Sequence, residues 1–215
     1  MLPDPSKLTL FVLAALGLLL IPGPAVLYIV ARSIDQGRRA GIVSVLGIGL
    51  GSLVHVTAAA LGLSALLMSS ALAFSIVKYL GAVYLIYLGI RKLREKPAVI
   101  ATESVKPQPL GRIFRQGIVV NVLNPKTALF FFAFLPQFTN PAKGAVTVQI
   151  LLLGLIFTGL GMMSDSLYAL AAGTAGNWLK SSTTFLWAQR YFAGGIYVLL
   201  GLVTAVSGSS SHKTA

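Results

Sequence analysis

The sequence predicts an all-α integral membrane protein, with six transmembrane helices arranged as two inverted three-helix repeats. Only 10% of the 215 residues are charged and 56% are hydrophobic, whereas soluble domains average about 25% charged residues. The apolar residues form six blocks. Each block is close to the roughly 20 residues that a helix needs to cross a hydrocarbon core of about 30 Å. Proline interrupts the first and fourth blocks at corresponding places, which indicates a repeat.

Polar or charged connections separate the six blocks. The blocks span residues 8–31, 41–68, 72–91, 113–136, 146–172 and 190–207. The first follows Lys7, as the apolar region of a secretory signal follows a basic residue, but it continues to Ile29. That is longer than the roughly 7–15 residues of a signal. We therefore expect a retained helix.

Two short alignments support the internal repeat. The third block contains KYLGAVYLIYLGI (78–90), which aligns without gaps with RYFAGGIYVLLGL (190–202) in the sixth. The first contains IPGPAVL and the fourth LNPKTAL. Because each half has an odd number of spans, similar halves must cross the membrane in opposite senses, as in many secondary transporters. We expect a first repeat at 1–91, a cytoplasmic linker loop at 92–112, a second repeat at 113–207 and a flexible tail at 208–215.

The net charge of +12 is concentrated on one side of the predicted membrane. Twelve of the seventeen Lys and Arg residues lie between spans one and two, three and four, or five and six. An excess of Lys and Arg near helix ends marks the cytoplasmic face, so both termini are expected outside, in the periplasm. The basic linker contains no aromatic residue on which bases could stack. We therefore expect no nucleic-acid partner.

The two proline interruptions are candidate broken helices. Pro22, Gly23 and Pro24 lie within the first block, and Asn124, Pro125 and Lys126 within the fourth. Non-helical backbone at membrane depth is tolerated only inside protein or beside a water-filled cavity. A half-helix N-terminus there attracts a carboxylate. The motifs predict a polar substrate site for a small zwitterion, and the alternative is a pair of ordinary kinks.

Two ionisable residues lie inside predicted spans. A charge at the centre of a membrane helix costs at least about 2.5–3.5 kcal/mol, so neither Lys126 nor Asp165 should face lipid. Asp165 is a candidate for proton uptake or for holding a substrate ammonium, and Lys126 for pairing with it or with the substrate carboxylate. The alternatives are a structural ion pair and a lysine that reaches the interface.

One histidine, two asparagines and two glycines carry weaker signals. His55 could relay protons or be a buried imidazole bonded to a carbonyl. Asn121 and Asn124 lie about one turn apart and could bind substrate or the broken backbone. Gly47 and Gly51 have the four-residue spacing that lets membrane helices approach closely, so we expect a packing role.

Few residues of the sequence are of the types that enzymes or metal sites need. The chain has no cysteine and two histidines, and Asp165 is the one acid inside a predicted span. Such a set lacks a nucleophile with its base and a thiolate metal site. We expect no enzymatic activity, no metal and no cofactor.

Five motifs in order resemble the LysE/RhtB amino-acid exporter family, of the lysine exporter and homoserine-threonine efflux type. They are IPGP, GIGLGSLVHVTAAALGLSALL, KYLGAVYLIYLGIRKLR, NVLNPKTALFF and the Asp of MMSDSLYAL. The resemblance implies a bacterial inner-membrane exporter that uses the proton gradient. It also implies a transport path near Pro22, Gly23, Pro24, Asn124, Pro125, Lys126 and Asp165. Tyr168 stands where the family often has Trp, which leaves the pocket size open.

The sequence thus predicts a secondary transporter that exports amino acids or close derivatives, by proton antiport with alternating access. Its partners would be the amino acid, protons and the lipid bilayer, and a homodimer is left open. The alternatives are a non-transporting membrane scaffold or assembly protein, and a small-solute or metal-ion permease.

Overall fold

A computed structural model provides the fold of the chain. It describes residues 5–69, 107–140 and 144–181, with isolated helical positions at 76, 79, 80, 82, 83, 86, 87, 90, 91, 93, 94, 191, 195, 198, 199, 202 and 205. Every element in the described ranges is helical. Most of the third and sixth blocks, most of the linker and the whole tail 208–215 lie outside the described residues. The six-span count, the inverted repeat and the division into regions stay predictions.

The first apolar block contains a break between two helices. Helix α1 covers Pro5–Leu19 and helix α2 covers Pro24–Ser69. Pro22 lies in the break because its ring excludes a helical hydrogen bond and clashes with the carbonyl four residues earlier. Pro24 opens α2, where a missing N–H costs nothing because the first helical donors have no intrahelical partner.

Helix α2 itself changes direction at Gly37. This residue has φ 80° and ψ 178°, a backbone conformation that glycine adopts readily because it has no Cβ. The segment before Gly37 continues the first apolar block, and the segment after it forms the second. The predicted boundary between these two blocks therefore coincides with a glycine turn.

The fourth apolar block is also broken. Helix α3 covers Leu110–Val122 and helix α4 covers Pro125–Leu129. A π-helical turn at Phe130–Phe134 and a 3₁₀ turn at Leu135–Phe138 continue the chain. The axes before and after the break differ by 47°. The fifth block forms the long helix α5, Val146–Ser181.

Two described helical stretches are long and apolar enough to span a membrane, 24–62 and 146–174. The bent pair 110–122 and 125–138 would make a third if it counts as one span. Within the described residues, α1 is apolar but too short to qualify by itself. The described part of the chain is therefore helical, and its length and composition fit helices that cross a membrane.

Glycines bring three helices into close contact. A Cβ on Gly47 would lie 2.3 Å from the Phe114 carbonyl oxygen, and one on Gly51 would lie 2.9 Å from the Ile118 carbonyl oxygen. Because both contacts advance by four residues in the same direction, this part of α2 runs parallel to α3. A Cβ on Gly154 of α5 would lie 2.9 Å from Val56, and Gly41 lies against Ala169, so α5 runs antiparallel to α2. The Gly47 and Gly51 face is thus occupied inside the chain and unavailable to a second copy.

Two buried hydrophobic clusters lie at different levels of this bundle. The phenylalanine cluster joins α1, the turns after α4, and α5, and its aromatic members are Phe11, Phe130, Phe131, Phe134, Phe138 and Phe157. The aliphatic cluster joins α2 and α5 through Ala25, Ile29, Val45, Ile48 and Ala169. Beyond the aliphatic cluster is the arginine-rich end, which we define by Arg32, Arg38, Arg39, Arg112 and Arg115.

Replacing Gly47 by Ala tests the close approach of α2 and α3. The new methyl group meets backbone, which cannot rotate away, so we expect the free energy of unfolding to fall by about 1–3 kcal/mol. Gly159→Ala is the control, because no atom lies within 4 Å of its added Cβ. Thermal unfolding in detergent should show a lower midpoint for Gly47→Ala and no loss for Gly159→Ala. Equal midpoints would contradict the helix contact.

Candidate functional site

A cavity lies where the two hydrophobic clusters meet, between α1, α2, α4 and α5. Its volume is about 40 Å³. Leu18 and Phe157 of the phenylalanine cluster line one part, and Ala25 and Ile48 of the aliphatic cluster line another. The polar side chains in its wall are Ser52, Asn121, Asn124, Lys126, Thr127, Thr158 and Asp165. The cavity thus places these polar side chains, among apolar ones, between the two hydrophobic clusters.

The broken end of α1 is held by side chains from the other half of the protein. The Lys126 ammonium donates a hydrogen bond to the Ile21 carbonyl. The Tyr168 hydroxyl donates to the Leu20 carbonyl at 2.8 Å. Both carbonyls were freed because the helix stops before Pro22, and lipid would offer them no donor.

Gly23 makes room for this arrangement. A Cβ on Gly23 would lie 3.1 Å from Cδ of Lys126, so the lysine stem runs across the face of the glycine. Gly23 and Lys126 both line the cavity, whereas Pro22, Pro24 and Pro125 shape the two breaks without being among its lining residues. The two proline motifs therefore meet at one place.

Asn124 and Asn121 organise the second break. The Asn124 side chain caps α4 by accepting a hydrogen bond from the Lys126 backbone N–H at 3.1 Å. Asn121 donates to the Ile48 carbonyl and to the Ser52 hydroxyl, both at 2.8 Å. Its amide oxygen accepts from Thr127 at 3.0 Å. With 1% of its surface exposed, Asn121 connects α3 to α2 and α4.

Asp165 faces the cavity from α5. It is 7% exposed. In the described part of the chain it makes no hydrogen bond, and no Lys or Arg nitrogen lies within the 4.0 Å of an ion pair. Lys126, 8% exposed, lines the same cavity, and the two opposite charges attract each other across it. The structure brings them to one site without joining them.

His55 lies next to this site but not in its wall. Its Nε2–H donates to the Asn121 backbone carbonyl at 2.9 Å, and its ring stacks on Phe131 with centroids 6.0 Å apart. His55 is not among the lining residues of the cavity. A proton-relay role for His55 stays a prediction, since the contacts explain the residue as a support for Asn121.

Thr158 lines the cavity about two helical turns away from Asp165. Thr158 and Asp165 are seven residues apart on α5, which places them about 10 Å apart along the helix. Thr158 donates to the Gly154 carbonyl at 2.9 Å, which leaves lone pairs of its oxygen free to accept.

The cavity is smaller than an amino acid. A cavity needs about 10–15 Å³ to hold one water, and a cavity that binds benzene has a volume of about 150 Å³. At about 40 Å³ the cavity can hold a few waters. The described cavity is therefore too small for an amino acid and must expand to admit one.

Metal binding has no support in this part of the molecule. Among the described residues, no three His, Cys, Asp or Glu side chains come together as metal ligands would. The charged groups of the cavity suit an organic zwitterion better than a cation alone, because Lys126 repels a cation.

Comparison with known proteins decides the family. The family model described as LysE type translocator matches residues 16–208, most of the chain. The chain belongs to the LysE type translocator family. This confirms the resemblance seen in the sequence motifs, and a LysE type translocator is a membrane transporter rather than an enzyme.

Bacterial relatives extend the match. A homoserine/homoserine lactone efflux protein of Salmonella typhimurium is 32% identical over 195 residues, which are 91% of this chain and 94% of that protein. An uncharacterized membrane protein of Vibrio cholerae is 27% identical over 92% of this chain and 95% of its own length. A leucine efflux protein of Salmonella choleraesuis is 32% identical over 60% of this chain and 62% of its own length. No solved structure gives a significant match.

Several cavity residues of this LysE type translocator were not singled out by their sequence pattern. Phe157, Thr158, Gly161 and Met162 line the wall together with Asp165. Positions three or four apart share a helix face, so reading backwards from Asp165 along α5 would have found them. No sequence pattern predicts the hydrogen bond between Tyr168 and Leu20, because it depends on how α1 packs against α5.

Replacing Asn121 by Ala tests the polar link between the helices. We expect the free energy of unfolding to fall by about 1–3 kcal/mol, because buried partners such as the Ile48 carbonyl lose their donor. Thr57→Ala is the control, since exposed Thr57 bonds only to the Leu53 carbonyl of its own helix. Thermal unfolding in detergent should separate the two variants. An Asn121→Ala midpoint as high as that of Thr57→Ala would remove Asn121 from this role.

Proposed function

We propose that this LysE type translocator is a secondary transporter that exports amino acids or close derivatives from the cytoplasm, in exchange for protons and by alternating access. The observation that carries the proposal is the pairing of two broken helices around a cavity lined by Lys126 and Asp165. Buried ionisable groups in a membrane protein are expensive and usually functional.

The substrate would bind as a zwitterion. Its ammonium meets the Asp165 carboxylate, which has no fixed partner among the described residues. Its carboxylate meets the start of α2, where Ala25 and Val26 line the cavity and the first N–H groups of the helix have no intrahelical acceptor. The Lys126 ammonium has three donors and uses one on Ile21, so it can contribute another.

Proton exchange follows if Asp165 can hold one cation at a time. Substrate ammonium neutralises the carboxylate on the way out, and a proton neutralises it on the way back. The carboxylate is then never moved through the closed state as a bare charge, which would be costly in a dry layer. This coupling assigns the proton to Asp165 and leaves His55 as a support for the cavity wall.

The two hydrophobic clusters would act as the gates. The arginine-rich end faces the cytoplasm in this proposal, as the positive-inside rule requires, so the aliphatic cluster closes the inner side and the phenylalanine cluster the outer side. The π-helical turn at Phe130–Phe134 lies within the outer gate. Such turns mark functional hinges in many helices. The membrane would be the bacterial inner membrane, with both termini in the periplasm.

The names of two relatives support a small amino acid as substrate. They are a homoserine/homoserine lactone efflux protein and a leucine efflux protein. The cavity offers hydroxyl groups of Ser52, Thr127 and Thr158 beside Phe157 and Met162, so a short polar or a medium apolar side chain suits it. Growth protection of bacteria challenged with single toxic amino acids would identify the substrate.

Substitution of the two buried charges tests the transport mechanism. We expect Asp165→Asn to abolish proton-coupled export and Lys126→Met to reduce it at least tenfold, because each loses a charge that the zwitterion or proton needs. Homoserine and leucine export, with a pH-sensitive dye, would be measured in proteoliposomes. Asp35→Asn is the matched carboxylate control outside the cavity and should export normally. Unchanged export in both cavity variants would rule out this mechanism.

Alternating access can be tested by thiol labelling, because the chain has no native cysteine. Thr158→Cys should react slowly with a membrane-impermeant maleimide in the closed state and several times faster during substrate turnover. Val148→Cys, half exposed near the start of α5, is the control and should react at a rate that substrate does not alter. A Thr158→Cys rate that ignores substrate would contradict a cavity that opens.

A further inference from the structure

Arg32 is a buried arginine outside the cavity. It lies on α2 between the break and Gly37 and is 5% exposed. Its Nη1 donates to Gln36 at 3.2 Å and its Nη2 to Gln116 at 3.1 Å. The guanidinium carbon lies 5.5 Å from the centre of the Tyr28 ring. Its neighbours are therefore two neutral amides and one aromatic ring.

The charge of Arg32 has no carboxylate partner within the part of the chain that the structure describes. No Asp or Glu oxygen of the described residues lies within 4.0 Å of its nitrogens. A guanidinium has five N–H donors, and only two are used here. A buried charge is strongly unfavourable unless a counter-ion compensates it. Amide oxygens hold the group in place but do not neutralise it, so among the described residues the charge has no counter-ion and an anion could still bind.

Arg32 lies below the cavity on the side of the arginine-rich end. Ala25, Tyr28 and Arg32 are spaced by three and four residues, so they share one face of α2. Ala25 lines the cavity, and Arg32 follows it by seven residues, or about 10 Å along the helix. Tyr28 lies between them, and its hydroxyl donates to the Ile113 carbonyl at 2.9 Å. Arg32 and Tyr28 therefore lie on the helix face that leads from the arginine-rich end towards the cavity.

Gln108 adds an acceptor to the same cluster. Its backbone N–H and carbonyl both bond to the Gln36 side chain, at 3.0 and 2.9 Å. Its own amide oxygen is buried and has no hydrogen-bond partner. Buried acceptors without a donor are rare and call for an explanation. Arg32 and Gln108 both contact the Gln36 side chain, so one cluster holds a guanidinium with spare donors and an amide oxygen without a donor, which are the groups that a carboxylate and an ammonium need.

We propose that Arg32, with Gln36, Gln108 and Gln116, forms a loading site that binds the carboxylate of the amino acid on the cytoplasmic side before it reaches the cavity. The proposal rests on the proposed export function and its orientation. The carboxylate takes two parallel N–H···O bonds from the guanidinium, which are stronger than those to neutral amides. The substrate therefore displaces Gln36 and Gln116 and loosens the contact between α2 and α3.

Sided transport assays test the loading site. Arg32→Gln should raise the KM for homoserine or leucine about tenfold or more at the cytoplasmic face, measured in inside-out vesicles. The KM at the outer face, measured in right-side-out vesicles, should not change. Leucinamide and homoserine amide have no carboxylate, so any transport of them should be unaffected by the substitution. An unchanged cytoplasmic KM for the amino acid would overturn the loading site.

A second variant separates binding from folding. Gln116→Glu supplies a carboxylate of the same shape to Arg32, so the fold should be at least as stable, whereas the loading site would be blocked by an internal anion. We expect a raised cytoplasmic KM together with an unchanged or higher thermal midpoint. A purely structural Arg32 predicts an unchanged KM for this variant, and that result would reject the proposal.

Arg38→Gln and the wild-type protein distinguish a failure of the loading site from a failure of the proposed export function. Arg38→Gln removes a nearby exposed charge that bonds to Thr174 at 3.2 Å, and it should leave the cytoplasmic KM unchanged. An equal rise in Arg38→Gln would mean general attraction by positive charge and would overturn a specific site. Failure of the wild-type protein to export any amino acid tested in the growth-protection screen would overturn the proposed function, and the loading site with it. Export with normal sided KM values in Arg32→Gln overturns the loading site alone.

Discussion

The hydrogen bond from the Lys126 ammonium to the Ile21 carbonyl is the interaction on which the centre of this protein depends. It joins the broken end of α1 to the residue that follows Pro125, so each break supplies what the other lacks. The first break leaves carbonyls without donors, and the second places a cation at membrane depth. Either feature alone would be costly in lipid. Together they compensate each other and leave a cavity beside the joint.

Close helix packing makes this joint possible. Because Gly47 and Gly51 have no side chains, α3 lies directly against α2, and Asn121 can reach the Ile48 carbonyl. The same asparagine accepts from Thr127 at the start of α4. The second break is therefore fixed in position by a hydrogen-bond network rather than by the apolar surface alone. A fixed break can aim the Lys126 side chain across Gly23.

Much of this arrangement was predictable from the sequence, because it depends on local rules. Pro22 and Pro125 predict interruptions wherever they fall in a helix, and buried charge at Lys126 and Asp165 predicts an inward-facing position. The contacts made by Tyr168, Arg32 and Gln108 were not predictable, since they join residues more than 70 positions apart. Such pairs depend on how helices dock, which no local pattern specifies. The sequence motifs also predicted the family, and the match over residues 16–208 confirms it.

The buried charges share one property that suits a carrier better than a static fold. Lys126 is held by a backbone carbonyl and Arg32 by two amides, while Asp165 has no partner among the described residues. Neutral acceptors bind cations more weakly than carboxylates do, so a zwitterion can replace them at little cost. A direct Lys126–Asp165 ion pair would be much harder to separate, because breaking a buried pair costs about 3–5 kcal/mol. Substrate binding would then have to overcome that loss. Because Lys126 and Asp165 do not form an ion pair in the cavity, this cost does not arise.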